Sequence, residues 1–283
     1  MDNKINVSVT YTIYGNFDFK RLKTILFYLA KQKEVSFEAI VVNATEKKYN
    51  LPSFCKQIFI DKSIAKKNLG LIRNIALKNC SGKYVYTCDA DIVFIDKLFL
   101  KKLIKLQNET NTALKKVGIF RLPKEEFNSF YNMIEEGIEP KLNESNLSVS
   151  LFDNFPFKIK LIEKYAFSQR IDEDDKMPLV HAGCIFGKKE MFENVGGYSE
   201  KYVGYGWEDS DLQWKIEEIN GIRKIKDLKV LHLDHERGYF NKTQFEKNKK
   251  LFFKRVKEGV NKAINYDLDN FVKLNEGGKQ IYK

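Results

Sequence analysis

The switch between two hydrophobic periods in the first third of the chain constrains the fold most. From Asn6 to Ile13, apolar Val7, Val9, Tyr11 and Ile13 alternate with Ser8, Thr10 and Thr12, the period of a strand. Asp18 to Gln32 then brings Phe19, Leu22, Ile25, Leu26 and Leu29 onto one side at helical spacing. Phe37 to Val42 is a nearly continuous apolar run, as a strand covered on both faces requires. Ala65 to Asn79 returns to the helical period through Leu69, Ile72 and Ala76, and Tyr84 to Cys88 returns to strand. This rhythm predicts an α/β fold, a Rossmann-like and mostly parallel sheet flanked by helices with right-handed crossovers. Ligands of such sheets bind beyond the carboxyl ends of the strands.

Three clusters of chemistry stand at places where that rule matters. The run YVYTCDADIVF, Tyr84 to Phe94, ends an apolar strand in Asp89 and Asp91, one residue apart. Two unpaired carboxylates so placed repel each other and are expensive to bury. Mg²⁺ or Mn²⁺, which take hard oxygen ligands, would explain them if the chain supplies further partners. The stretch GYGWEDSDL, Gly204 to Leu212, puts two glycines and Trp207, a flat face of the kind sugars stack on, before Glu208, Asp209 and Asp211. A helix N-terminus favours one or two acids there but does not explain the glycines and tryptophan. In VLHLDHERGYF, His232 and His235 sit three apart just past a strand, in a chain with 3 histidines. Neutral imidazole is a competent ligand for Mn²⁺ or zinc.

Composition narrows the class. A chain of 283 residues with 43% hydrophobic and 31% charged residues is ordinary for a soluble globular protein. No apolar stretch approaches the roughly 18–20 residues of a membrane span. The N-terminus begins a strand without a signal peptide's apolar core, so a cytoplasmic location is expected. The four cysteines, Cys55, Cys80, Cys88 and Cys184, form no CxxC pair and read as reduced thiols. Net charge is +11, and from Glu236 onward twelve Lys/Arg face six Asp/Glu. Lys242 to Ile264 places Phe245, Phe252, Val256, Val260 and Ile264 near helical spacing with lysines between. That segment reads either as a helix packed on the domain with a solvated basic face, or as a peripheral contact with anionic lipid. Between Pro123 and Pro178 the pattern is mixed, with IDEDD (Ile171 to Asp175) as a solvated loop. HAGCIFG then reads as a strand, KKEMFENV as a short helix, Glu208 to Ile219 as a helix and Lys229 to Leu233 as the last strand.

The order of these pieces resembles a nucleotide-sugar glycosyltransferase of the GT-A fold, similar to family 2 and to galactosyltransferase and chondroitin-synthase-type enzymes. VSVTYTIYGN, AIVVNAT and NLGLIRNIALKNCSGKYVYTCDADIVF resemble the family's nucleotide-binding half. HAGCIFGKKEMFENVGGYSEKYVGYGWEDSDLQWKI resembles its acceptor-side signature, and HLDHERGYFNKTQFEKNKKLF the tail of the chondroitin-type enzymes. The resemblance implies a GT-A catalytic domain over residues 1–240, split at 122/123 into nucleotide-sugar and acceptor halves, followed by a basic helical extension over 241–283. It implies that Asp89 and Asp91 form the D-x-D pair, with Asp91 on a Mn²⁺ or Mg²⁺ ion that bridges the phosphates of UDP. His235 is then the late metal ligand and His232 a second, weaker one. Thr12, Ile13 and Tyr14 would line the uracil and ribose pocket, and Arg73, Asn74, Asp89, Ala90 and Trp207 would complete the donor side. Asp209 matches the catalytic base, with Glu208 beside it holding sugar hydroxyls and Gly206 and Trp207 shaping the acceptor pocket.

Asn43 departs from the pattern, because relatives often carry Asp where AIVVNAT ends; an amide oxygen can still accept from uracil N–H, and Glu46 stands nearby. The activity implied is inverting transfer of a sugar from UDP to a hydroxyl of a glycan acceptor, in capsule, lipopolysaccharide or other surface polysaccharide synthesis. The acceptor could be lipid-linked, reached at the inner face of the plasma membrane through the basic C-terminus; nucleic acid is not expected as a partner. Two rivals share some features. A nucleotidyltransferase acting on a sugar phosphate also uses paired acids, but YTIYGNFDF has one glycine and no cation before Lys20 to make a phosphate loop. A non-catalytic basic carbohydrate- or nucleic-acid-binding module leaves the GYGWEDSDL acids without purpose.

Overall fold

The computed structural model describes residues 5–116, 119–138, 160–162, 183–225, 227–228, 230–235 and 240–276. The first strand, β1 (Val7–Tyr14), lies between β2 (Phe37–Ala44) and β4 (Tyr84–Thr87), and β3 (Cys55–Phe59) borders β2, all parallel. Beyond β4 comes β9 (Ile185–Lys188), antiparallel to it and to β6 (Ala113–Lys116), with β10 (Ile222–Ile225) at the edge. The seven-stranded sheet thus runs β10-β6-β9-β4-β1-β2-β3. A second sheet, β5-β11-β7-β8, joins Ile92–Val93, Val230–Leu233, Ile119–Leu122 and Lys160–Ile162. The fold is α/β with a mostly parallel sheet, as the periodicity predicts.

The pleat explains how both faces are filled. In β2, Ala39 and Val41 join a core with Leu22 and Ile25 of helix α1 (Phe19–Leu29) and Phe99 of α4 (Phe99–Thr110). Ile40 and Val42 point the other way, onto Ile72 and Ile75 of α3 (Leu69–Lys78) and Phe192 of α6 (Lys189–Glu193). The polar alternates Ser8 and Thr10 of β1 do not face water: Ser8 is fully buried, donates to Glu38 Oε1 at 2.6 Å and accepts from the Gly82 amide at 2.9 Å.

Two helices that read as continuous are each broken. Ala65 to Asn79 divides at Asn68 into α2 (Lys62–Lys67) and α3. Asn68 sits at φ −150°, ψ 92° and caps α3 by accepting from the Leu71 amide at 2.9 Å, while its amide donates to the Glu200 carbonyl. Lys242 to Ile264 divides at Gly259, whose φ of 98° ends α8 (Lys242–Glu258) before α9 (Val260–Glu276). In the middle segment α5 (Phe127–Glu135) packs Phe127, Phe130 and Met133 into the core; Ile171 to Asp175 and His181 lie outside the described residues. No helix among the described residues is long and apolar enough to cross a membrane.

Helices α8 and α9 are locked to α7 (Glu208–Asn220) by buried charge. Arg255 Nε donates to Asp211 Oδ2 at 2.6 Å and Nη2 to Asp267 Oδ2 at 2.6 Å, while Lys215 Nζ reaches Asp267 Oδ2 at 2.5 Å and the Gly197 carbonyl at 2.8 Å. All four side chains are at most 4% exposed. Asp211, one of three clustered acids in GYGWEDSDL, is therefore an interior structural group.

Candidate active site

The strand ends gather the residues expected on the donor side. Thr12 and Tyr14 are half-buried at the end of β1, and Ile13, in register with Asn43 of β2, lies in the core. Asn43 is fully buried and its amide is committed locally. Nδ2 donates to the Lys47 carbonyl at 2.8 Å, and Oδ1 accepts from the Thr45 amide at 2.8 Å and hydroxyl at 2.7 Å. The side chain thus shapes the loop after β2, and its amide is not turned outward as a nucleobase contact would need. Glu46 pairs with Lys62 on the surface.

The two acids of DAD occupy different surroundings. Asp91 Oδ2 lies 3.0 Å from His235 Nε2 and 3.3 Å from His232 Nε2, and donor atoms of these three residues all fall within 4.8 Å of one another. The β11–β5 pairing places His232 opposite Ile92, which is how residues so distant in sequence meet. Burial works to raise the Asp91 carboxyl, yet the two imidazoles outweigh it and hold it well below the usual range. Burial likewise works against the His232 imidazolium, but Asp91 and then Asp234 prevail and push it up to about 9. Asp91 Oδ1 is buried with no hydrogen-bond partner. A carboxylate oxygen seldom stays so without an unseen ligand. The set fits a divalent cation with mixed O and N preference such as Mn²⁺; two imidazoles suit Mg²⁺ less well. Asp89 stands apart from this set, packed against Gly183, where a Cβ would meet Asp89 Oδ2 at 1.9 Å.

Arg73 connects Asp89 to the second acid cluster. Its Nη2 is 3.3 Å from Asp89 Oδ1 and 3.7 Å from Glu208 Oε1, and its Nη1 is 2.8 Å from Asp209 Oδ1. Its neighbour Asn74 is buried and works on the backbone of Tyr198, donating to its carbonyl at 2.9 Å and accepting from its amide at 2.7 Å. Ala90 is buried between the two aspartates. The acids at the start of α7 sort by accessibility. Glu208 is fully buried, turns back to accept from the Gly206 amide at 3.0 Å, and is pushed up to about 7 by burial and then by Asp209. Asp209 keeps 17% of its side chain exposed and faces Arg73.

Trp207 corrects an expectation. Its ring is 2% exposed and packs on Phe245, Phe252 and Phe253, with centroids 5.8, 5.2 and 5.7 Å away. It is an anchor for its loop and presents no open face on which a sugar could stack. The sequence reading also missed Asp234, whose Oδ1 lies 2.8 Å from His232 Nδ1, and Arg121, whose Nε donates to the same oxygen at 2.7 Å. The first had a signal, since Asp234 follows His232 at strand period; the second depended on the β11–β7 register, which sets His232 beside Arg121.

A mostly parallel sheet, a carboxylate–imidazole cluster at Asp91 and, beside it, an arginine that links Asp89 to the acids opening α7 go with a nucleotide-sugar glycosyltransferase of the GT-A fold, the class to which the comparisons lead. The model described as Glycosyl transferase family 2 matches residues 8–196, and one described as N-terminal domain of galactosyltransferase matches residues 165–243. The chain belongs to glycosyl transferase family 2.

Solved structures are similar at the level of the fold. GalNAc-T7 with UDP, GalNAc and Mn²⁺ superposes with a TM-score of 0.60 at 13% identity, covering 90% of this chain and 48% of that one. S. aureus TarS 1–349 in complex with UDP gives 0.54 at 17%, covering 88% and 64%. The mannosyltransferase PcManGT from Pyrobaculum calidifontis, with GDP-Man and Mn²⁺, gives 0.51 at 16%, covering 99% and 76%. The chain spans 39% of the length of S. aureus TarS. Comparison with curated protein sequences gives no match.

Proposed function

We propose that this chain is a metal-dependent, inverting glycosyltransferase that moves a sugar from a UDP-sugar to a hydroxyl of a glycan acceptor. Capsule, lipopolysaccharide or another surface polysaccharide is the product class. The observation that carries the reading is the Asp91–His232–His235 cluster with the orphaned Asp91 Oδ1, set one residue from the acid that Arg73 links to Asp209. Two neighbours contain UDP and two contain Mn²⁺, which supports the choice of donor and ion.

Asp91, His232 and His235 would hold the cation, which when bound supplies Lewis-acid stabilisation of charge developing on the departing diphosphate. Arg73 balances Asp89 and Asp209 and sets the distance between donor and acceptor sides. Asp209 is the accessible acid at the N-terminus of α7, a rigid place for a base that must meet an acceptor hydroxyl. It takes that proton as the acceptor oxygen bonds to C1 and the C1–phosphate bond breaks, in a single displacement. Glu208 is fully buried, so in place of the sugar contact expected of it we assign it to bracing the loop before Asp209, through the Gly206 amide. We assign residues 1–240 to the catalytic domain, with the halves meeting near 122, and 241–283 to the basic extension. Exposed Lys247, Lys250, Lys254 and Lys257 recur at helical spacing on α8, opposite its buried residues, and support contact with an anionic membrane at the cytoplasmic face where a lipid-linked acceptor would lie.

The test is calorimetric titration of UDP into wild type and Asp91→Ala, with Mn²⁺ and with EDTA. Binding that needs Mn²⁺ and disappears in Asp91→Ala is expected. Equal affinity in EDTA would refute the role of Asp91, His232 and His235.

A further inference from the structure

The loop that delivers Glu208 and Asp209 has an unfavourable backbone trace. Gly204 has φ 65°, Gly206 φ 104°, and Trp207, which is not a glycine, φ 78°. Left-handed conformation at a bulky residue persists only where surroundings impose it. The surroundings here come from α8. Asn248 is 2% exposed, and its Nδ2 lies 3.0 Å from the Val203 carbonyl, 3.0 Å from that of Gly206 and 3.5 Å from that of Tyr205. Its Oδ1 is fixed by Gln244 Nε2 at 3.0 Å, so the amide cannot turn over without losing both sets of bonds. On the same helix Phe245 fills the space that a Cβ on Gly206 would need, 2.6 Å from the nearest ring carbon, and its ring also packs on Trp207. The loop is thus held by carbonyl bonds on one side and an aromatic seat on the other.

We infer that Asn248 is a positioning residue for transfer: it holds the 203–207 backbone in its left-handed trace and thereby fixes Asp209 relative to the donor. The inference rests on the proposed role of Asp209 and extends it to the helix that the sequence marks only as a basic tail. A buried asparagine donating to the carbonyls of one strained loop is a specific arrangement; an apolar residue would serve if packing alone were required. Asn248 is buried against the loop, so its effect must travel through the loop.

The experiment compares Asn248→Ala, which removes the side chain, with Asn248→Asp, which keeps its shape and loses the donor. Glu246→Ala, exposed on the same helix, is the control. Amide hydrogen exchange of peptides over 203–209 is read together with UDP–Mn²⁺ affinity by calorimetry. UDP release is measured from whichever of UDP-glucose, UDP-galactose and their N-acetyl forms turns over fastest. Both Asn248 variants are expected to exchange faster in 203–209 and not in β1 and β2, with turnover down about tenfold to hundredfold. Their UDP–Mn²⁺ affinity should stay within about twofold of wild type, the pattern of a lost transition-state alignment. Unchanged exchange in 203–209, wild-type turnover in Asn248→Asp, or a loss that appears in UDP affinity instead would overturn the inference. Failure of the underlying reading looks different, because Asp209→Asn would then turn over at the wild-type rate whatever Asn248 does to loop exchange.

Discussion

Replacing Arg255 with Met should be among the most damaging single changes outside the site. The guanidinium is 4% exposed and makes three hydrogen bonds to carboxylates: to Asp211 at 2.6 and 3.2 Å and to Asp267 at 2.6 Å. With Lys215 it balances two buried aspartates against two buried cations. Truncation leaves Lys215 as the remaining cation for both, at 3.6 Å from Asp211 Oδ1 and 2.5 Å from Asp267 Oδ2, and Tyr202 as a neutral donor to Asp211 at 2.8 Å. Breaking one partner out of a buried ionic cluster costs about 3–5 kcal/mol, because the stranded charge cannot be rehydrated. For a chain of this size each kcal/mol moves Tm by about 2–4 °C, which gives a fall of roughly 6–20 °C. Thermal and urea denaturation of Arg255→Met measures it, with Lys254→Ala as control. Lys254 forms an exposed pair with Glu258 and should change stability by less than about 0.5 kcal/mol. Arg255→Lys keeps the charge but not the fork and should fall between. A cost in Arg255→Met below about 1 kcal/mol would show that the cluster is not desolvated as drawn, and that α8 and α9 are held by apolar contacts alone.

Three further outcomes follow from the site. Asp234→Asn removes the carboxylate that orients His232 through Nδ1, and Mn²⁺ affinity by calorimetry should fall about tenfold to hundredfold; unchanged affinity would show that His232 is oriented some other way. Glu208 has a folded-state pKa raised from 4.5 to about 7, so the folded state binds its proton more tightly than the unfolded chain does, and stability falls as pH rises from 4.5 through 7. Glu208→Gln should flatten that part of the stability profile, measured by denaturant titration at pH 5 and pH 8, and a wild-type slope in the variant would contradict the assignment. Gly183→Ala puts a Cβ 1.9 Å from Asp89 Oδ2 and must displace that carboxylate from Arg73, so UDP–Mn²⁺ affinity should drop while the thermal transition stays cooperative; wild-type affinity would mean that Asp89 does not contribute to the donor side.

Much of the sheet was legible because hydrophobic period is local. Val7, Val9, Tyr11 and Ile13 share one face whatever the rest of the chain does, and the buried run in β2 reports helices on both faces. What local pattern cannot give is where a period stops. Asn68 sits among residues that continue the helical spacing, and its break depends on the Glu200 carbonyl and on Ser199, whose carbonyl oxygen would lie 2.4 Å from a Cβ on Gly70. The short strands β5, β7 and β10 were invisible for a related reason. They are two to four residues long and become strands only through partners distant in sequence.

The site shows the same division with a chemical consequence. Asp91, His232 and His235 could be singled out, and the structure brings them together, because ligating residue types are few and strand ends gather them. Within GYGWEDSDL the resemblance assigns roles to Asp209 and Glu208, but residue type alone leaves three acids in four residues equivalent until each meets a different neighbour. Asp211 meets Arg255 and becomes interior structure, Glu208 turns back onto Gly206, and Asp209 is left at the cleft against Arg73. Trp207 changed role for the same reason, since Phe245, Phe252 and Phe253 come from a helix that begins 35 positions further on. A motif therefore fixes which groups are present, and the packing of a remote helix decides which of them stays accessible. In this chain that helix is α8, whose Arg255 draws Asp211 into the interior while its Asn248 and Phe245 hold the loop that precedes Asp209.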